Sequence, residues 1–143
     1  MVNDVNEKIE LQNQYNSKQS ELNQCTWQLA SLNDRIESVK SLKEKFIDLK
    51  SDLEDFKSKL REESRESHDY WKGQLLKEHN NLFKSSLING SIATYIKNID
   101  RNLDDLNTEL MRLQNEAYST EGLIGSLKSS LNWISTKIDN IFN

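Results

Sequence analysis

The chain has 143 residues, with no proline, four glycines, 29% charged and 35% hydrophobic residues, and a net charge of -4. With a mean hydropathy of -0.80, this profile argues against a turn-rich globule and for long helices whose narrow apolar stripes need few apolar positions. Acids interleave with the basic residues, so a basic footprint for nucleic acid is missing, and no apolar run approaches the ~20 residues of a membrane span.

The opening, MVNDVNEKIE, is acidic and lacks the apolar core of a signal peptide, which points to the cytoplasm. Frequent asparagine, lysine and isoleucine hint at an AT-rich genome. From Leu22 the apolar residues recur at steps of three and four: Cys25, Leu29, Leu32, Ile36, Val39, Leu42, Phe46, Leu49, Leu53, Phe56 and Leu60. Two successive steps of three, Ile36 to Val39 to Leu42, predict a stammer that overwinds a coiled coil locally without ending the helix. Upstream, Val5, Ile9, Leu11 and Tyr15 continue a looser version. One helix is expected from about residue 3 to about residue 64, roughly 90 Å at 1.5 Å per residue. Cys25, the one cysteine, cannot form an internal disulfide; it sits on the stripe and reads as a small core residue.

The stretch SRESHDYWKG loses the apolar period and ends in glycine, which places the turn at about 65–73. A second helix, about 74–142, carries Ile92, Ile96, Ile99, Leu103, Leu106, Leu110, Leu113, Ala117, Thr120, Ile124, Leu127, Leu131, Ile134, Ile138 and Ile141 at the same spacing. Its weak point is Asn89-Gly90, where the apolar phase shifts, so it either runs unbroken or is split there. Two helices of similar length, each with one stripe, should fold back on each other. The expected fold is therefore all-α: a long antiparallel helical hairpin, a coiled coil, forming a single domain over residues 1–143.

Such a hairpin buries one face of each helix. Burial yields ~1.5–3 kcal/mol per large apolar side chain, and ordering the backbone costs roughly 1–2 kcal/mol per residue. A thin hairpin is expected to be marginal alone, so a helical partner or a homodimer should cover the rest. With Leu103, Leu110, Ala117, Ile124 and Leu131 at one core position, Tyr118, Gly122, Gly125, Ser126, Ser129 and Trp133 form a second stripe of small residues flanked by aromatics. Each internal glycine costs the helix about 1 kcal/mol, and small residues let another helix approach closely. Trp27, two residues after Cys25, also points away from the seam. Residues 1–33 hold six charged side chains and residues 117–143 four, against sixteen in 40–67. The end that carries both termini is the less solvated end, and the expected protein-docking surface lies there. The bland alternative makes the tryptophans snorkelled surface residues and the small residues tolerated accidents.

The residues for catalysis are missing. His68 and His79 lack the i, i+4 spacing of a helical metal pair. There is no glycine-rich phosphate loop, and no serine or cysteine has a base in its sequence context. Acid pairs such as Asp104-Asp105 and Glu62-Glu63 read as solvated helix faces. No enzyme activity, cofactor or metal is expected.

Trp71-Lys72-Gly73 at the turn, followed by Leu75, Leu76, Leu82 and Phe83 on the returning helix, resembles the W-x-G of the WXG-type Esx proteins of type VII secretion. The chain is longer than those proteins. Over most of its length it is more similar to the YwqH-like family, helical partners encoded with LXG polymorphic toxins in low-GC Gram-positive bacteria. The resemblance implies a partner that binds the helical N-terminal LXG domain of a toxin, together with a second small helical protein. The complex would be targeted to the type VII secretion apparatus, and the chain would be cytoplasmic or co-exported with its cargo. By the same resemblance Gly73 permits the backbone bend, and Trp71 either caps the hairpin tip or is presented to the secretion ATPase. Related substrates carry an aromatic followed four residues later by an acid. Phe46, Phe56, Phe83, Tyr70, Tyr95 and Tyr118 have no acid at that offset, which leaves the signal to a companion or to a composite in which Trp71 and Gly73 form half. The alternative function is a structural coiled-coil scaffold or homodimeric spacer.

Overall fold

The computed structural model describes residues 2–65 and 73–141. Among them the chain is all-α, a helical hairpin made of α1 (Val2–Arg65), α2 (Gln74–Asn81), a π-helical segment (Leu82–Ile92) and α3 (Ala93–Ile141). Residues 3–64 and 74–141, expected to be helical, are helical. Residues 66–72, including Trp71 and His68, lie outside the described residues. The expected turn at about 65–73 falls mostly on residues 66–72; Gly73, the first described residue beyond them, has φ 64°. Residues with an L side chain rarely adopt this positive φ, whereas glycine takes it at little steric cost. The Gly73 carbonyl accepts a hydrogen bond from the Lys77 N–H at 3.1 Å, which opens α2.

The expected weak point at Asn89-Gly90 is not a break. The helix continues through it, but over 11 residues, Leu82–Ile92, it adopts π geometry. In a π-helix each N–H reaches back five residues rather than four. The extra residue per turn absorbs the shift in apolar phase: Ile88 and Ile92 are buried four apart, Ile96 follows after four more, and Ile99 restores the step of three. Gly90 fits the crowded wall of this segment, because a Cβ there would meet the Ser85 carbonyl oxygen at 3.1 Å.

The chain packs as two compact units. One holds Met1–Ser38 with Met111–Asn143, the other Val39–Leu110. In the first, α1 contributes Leu11, Cys25, Leu32 and Ile36 to the core, and α3 contributes Leu113, Ala117, Leu127, Leu131 and Ile134. Thr120 is buried among the latter. Its hydroxyl donates to the Glu116 carbonyl at 2.9 Å, which satisfies the one polar group on the stripe. Cys25 is a buried free thiol, as expected of a core residue. Val5 and Ile9 are exposed, so the stripe of α1 begins at Leu11.

In the second unit, Lys50 Nζ lies 2.7 Å from Asp100 Oδ1. Phe46, four residues earlier, lines a groove with Asn102, Asp105, Leu106 and Glu109. Numbers fall on α1 as they rise on α3, so the two helices are antiparallel here. The expected stammer is absent. The half-buried and buried positions of α1 keep strict steps of three and four through Ile36, Val39, Lys43, Phe46, Lys50, Leu53, Lys57 and Leu60. Lysines occupy the positions that the apolar residues leave empty. A lysine can lay its methylenes along an apolar seam while its ammonium reaches water. Leu42, Leu49 and Phe56 are displaced to the flank, at 45%, 46% and 51% exposure.

Candidate docking surface

The seam of α3 in the first unit fixes where its other residues point. At 3.6 residues per turn, Tyr118, Gly122, Gly125, Ser129 and Trp133 fall within a wedge of roughly 80° centred away from α1. All five are exposed. A Cβ added at Gly122 or Gly125 would meet nothing within 4 Å, so neither glycine is required by packing within the chain. Their smallness serves nothing that the chain itself contacts. Trp133 stands at one end with Lys137 Nζ 5.1 Å from its ring centroid, a distance at which the ring face attracts the cation. Met111, also exposed, lies seven residues before Tyr118 and extends the stripe. Sequence reasoning missed it, because a methionine amid polar residues was not matched to the aromatic period; the spacing of seven was the available signal.

Trp27 does not join this surface. It is 80% exposed, and it lies two residues from both Cys25 and Leu29, which puts it about 180° from the α1 seam. It therefore faces away from α3, while the Tyr118–Trp133 stripe faces away from α1. Val5 and Ile9 share the Trp27 face, since 18 residues make five turns. Between them run uncharged amides: Gln12 Nε2 donates to Asn16 Oδ1 at 3.4 Å, and Gln19 Nε2 donates to Asn23 Oδ1 at 3.1 Å. The first unit thus presents two separate aromatic surfaces on opposite sides, both poor in charge.

Gly73 is exposed, with nothing within 4 Å of an added Cβ, so its backbone angle alone accounts for it. Beside the π-helical segment, Ser85, Ser86, Gly90, Ser91, Thr94 and Tyr95 line a shallow open concavity of about 430 Å³. It is lined by hydroxyls and holds neither an acid–base pair nor a nucleophile with a neighbouring base. Among the described residues no group of three or more His, Cys, Asp or Glu side chains is placed to hold a metal ion, and no described helix is long and apolar enough to cross a membrane. Comparison with protein-family models, with curated proteins and with solved structures finds no match.

Proposed function

We propose that this chain is a non-catalytic binding partner for a helical cargo: it docks the N-terminal LXG domain of a polymorphic toxin and helps to target it to the type VII secretion apparatus. The observation that carries the reading is the α3 stripe, where two glycines with open space are kept inside a helix at a cost of about 1 kcal/mol each and are flanked by exposed Tyr118 and Trp133. Such a strip suits the close approach of a second helix. Large rigid aromatics at its ends are the residue types that anchor interfaces. The opposite Trp27 surface offers a place for the second small helical protein, so that the chain is sandwiched between its two companions. The complex would assemble in the cytoplasm and leave with its cargo. Gly73 would set the bend, and Trp71 would cap it or be read by the apparatus.

A structural coiled coil is the second reading, favoured by the apolar flank at Leu42, Leu49 and Phe56. One experiment separates the two. The tagged chain is expressed with the proteins encoded beside it, and the mass of each eluted species is measured. A stoichiometric complex with a larger neighbour, weakened at least tenfold by Gly125→Leu with Ser129→Leu, supports the targeting reading. Unchanged binding with intact helicity removes the α3 surface from it, and a chain that ignores its neighbours favours the scaffold.

A further inference from the structure

The part of α1 in the second unit carries two overlapping stripes. One, through Lys43, Lys50 and Lys57, faces α3. The other, through Leu42, Leu49 and Phe56, is half exposed. Phe46, Leu53 and Leu60 belong to both. Because adjacent residues are 100° apart on a helix, the apolar stripe is turned by roughly 50° from the direction of α3. A helix that only had to pack on α3 would place its leucines where the lysines are.

We propose that a second copy of this chain covers this face, α1 pairing antiparallel with α1 of its partner copy about a two-fold axis beside Ile47 and Asp48. In that register Phe46 meets Leu49, Leu42 meets Leu53, and Val39 meets Phe56, each twice, so all six layers are apolar. A register shifted by one heptad's half, with Leu42 on Leu60, Phe46 on Phe56 and Leu49 on Leu53, is equally apolar. Charge decides between them. The side chains flanking the stripe away from α3 are Lys45, Asp52 and Lys59, all exposed. The first register sets Lys45 against Asp52 on both sides of the axis. The second sets Lys45 against Lys59 and Asp52 against its own copy. On the α3 side both registers oppose lysines with lysines, and Lys50 is already held by Asp100, so that side does not discriminate. A parallel pair sets Lys45 against Lys50 as well as Asp52 against Lys57, and the two effects cancel. Self-complementarity about a two-fold axis is the mark of an isologous interface. The inference does not depend on the targeting reading, whose cargo and companion surfaces lie on the other unit.

The test is the mass of the purified full chain in solution, by light scattering over a dilution series, with helicity followed in parallel. The expected species has the mass of two 16.7 kDa chains. Asp52→Lys should weaken it roughly tenfold, since two attractive pairs become repulsive. Lys45→Asp should do the same, and the double reversal K45D/D52K should restore the affinity to within about threefold. Leu49→Glu should give a helical monomer. A chain that is monomeric throughout overturns the proposal, as does a dimer indifferent to the charge reversals. Capture of a neighbouring protein through Leu49 by a monomeric wild-type chain also overturns it, because the face then belongs to a different helix. Failure of the targeting reading would instead appear as loss of cargo binding with the dimer intact.

Discussion

Lys50 Nζ and Asp100 Oδ1 stand 2.7 Å apart across the helix pair of the second unit. They join a lysine in the middle of the α1 seam to an acid near the start of α3, and so fix the antiparallel register there. The hydrogen bond to Asp100, and then its negative charge, raise the Lys50 pKa above its ordinary 10.5. A group whose pKa is raised on folding stabilises the fold below its unfolded pKa and loses that contribution as pH rises through the folded value. Asp100→Asn should therefore lower the melting temperature by a constant amount from pH 7 to pH 9. The gap should close above about 10.5. A gap that persists at high pH would show that Asp100 acts through packing and not through Lys50.

The lysines in the seam predict an unusual gain. Lys43 and Lys57 are half-buried at positions where a coiled coil takes leucine. Lys43→Leu and Lys57→Leu should each stabilise the chain by about 1 kcal/mol, the value of partial burial of a leucine side chain. Chemical denaturation followed by circular dichroism reads this directly. A loss of stability in both variants would mean that the lysine ammonium groups contribute more than their methylenes.

Leu113 and Leu123 are ten residues apart on α3 and differ in one respect, since the first is 1% exposed and the second is exposed. Leu113→Ala removes a fully packed side chain and should cost about 2–5 kcal/mol. Leu123→Ala should stay within about 0.5 kcal/mol of the parent chain. Equal denaturation midpoints would contradict the described seam of α3.

The glycines should separate into three behaviours. Gly122→Ala and Gly125→Ala, with open space at the added methyl, should each stabilise by up to about 1 kcal/mol. Under the targeting reading they should weaken cargo binding at the same time. Gly73→Ala forces a left-handed angle on alanine and should destabilise by about 1 kcal/mol. Gly90→Ala should bring no gain, since its methyl meets the Ser85 carbonyl oxygen. Thermal melts of the four variants test the set.

The all-α character of both arms was legible in the sequence because the chain lacks proline and each arm keeps an apolar period of three and four. The path of the α1 seam past Ile36 was not. Counting apolar residues follows Leu42, Leu49 and Phe56, whereas the helix keeps its period and buries the stems of Lys43, Lys50 and Lys57. Hydropathy gives a lysine one value, although its methylenes and its ammonium have opposite preferences. The phase shift near Gly90 was visible as a change of spacing, but spacing alone does not distinguish a break from a widened turn. On the docking surface the Tyr118–Trp133 stripe was readable from its period on one helix. That Trp27 faces the opposite way required the positions of both seams.

The π-helical stretch has a consequence for how this chain can change over generations. From Leu11 to Leu60 the burial on α1 follows one uninterrupted period. A one-residue insertion or deletion there would turn every later side chain by about 100° and undo the seam. Between Leu82 and Ile92 the wider turns already accommodate an extra residue. A single deletion in that stretch would relax it toward ordinary α-helix and return the later residues nearly to phase. Descendants of a common ancestor should therefore differ in length here far more readily than anywhere along α1.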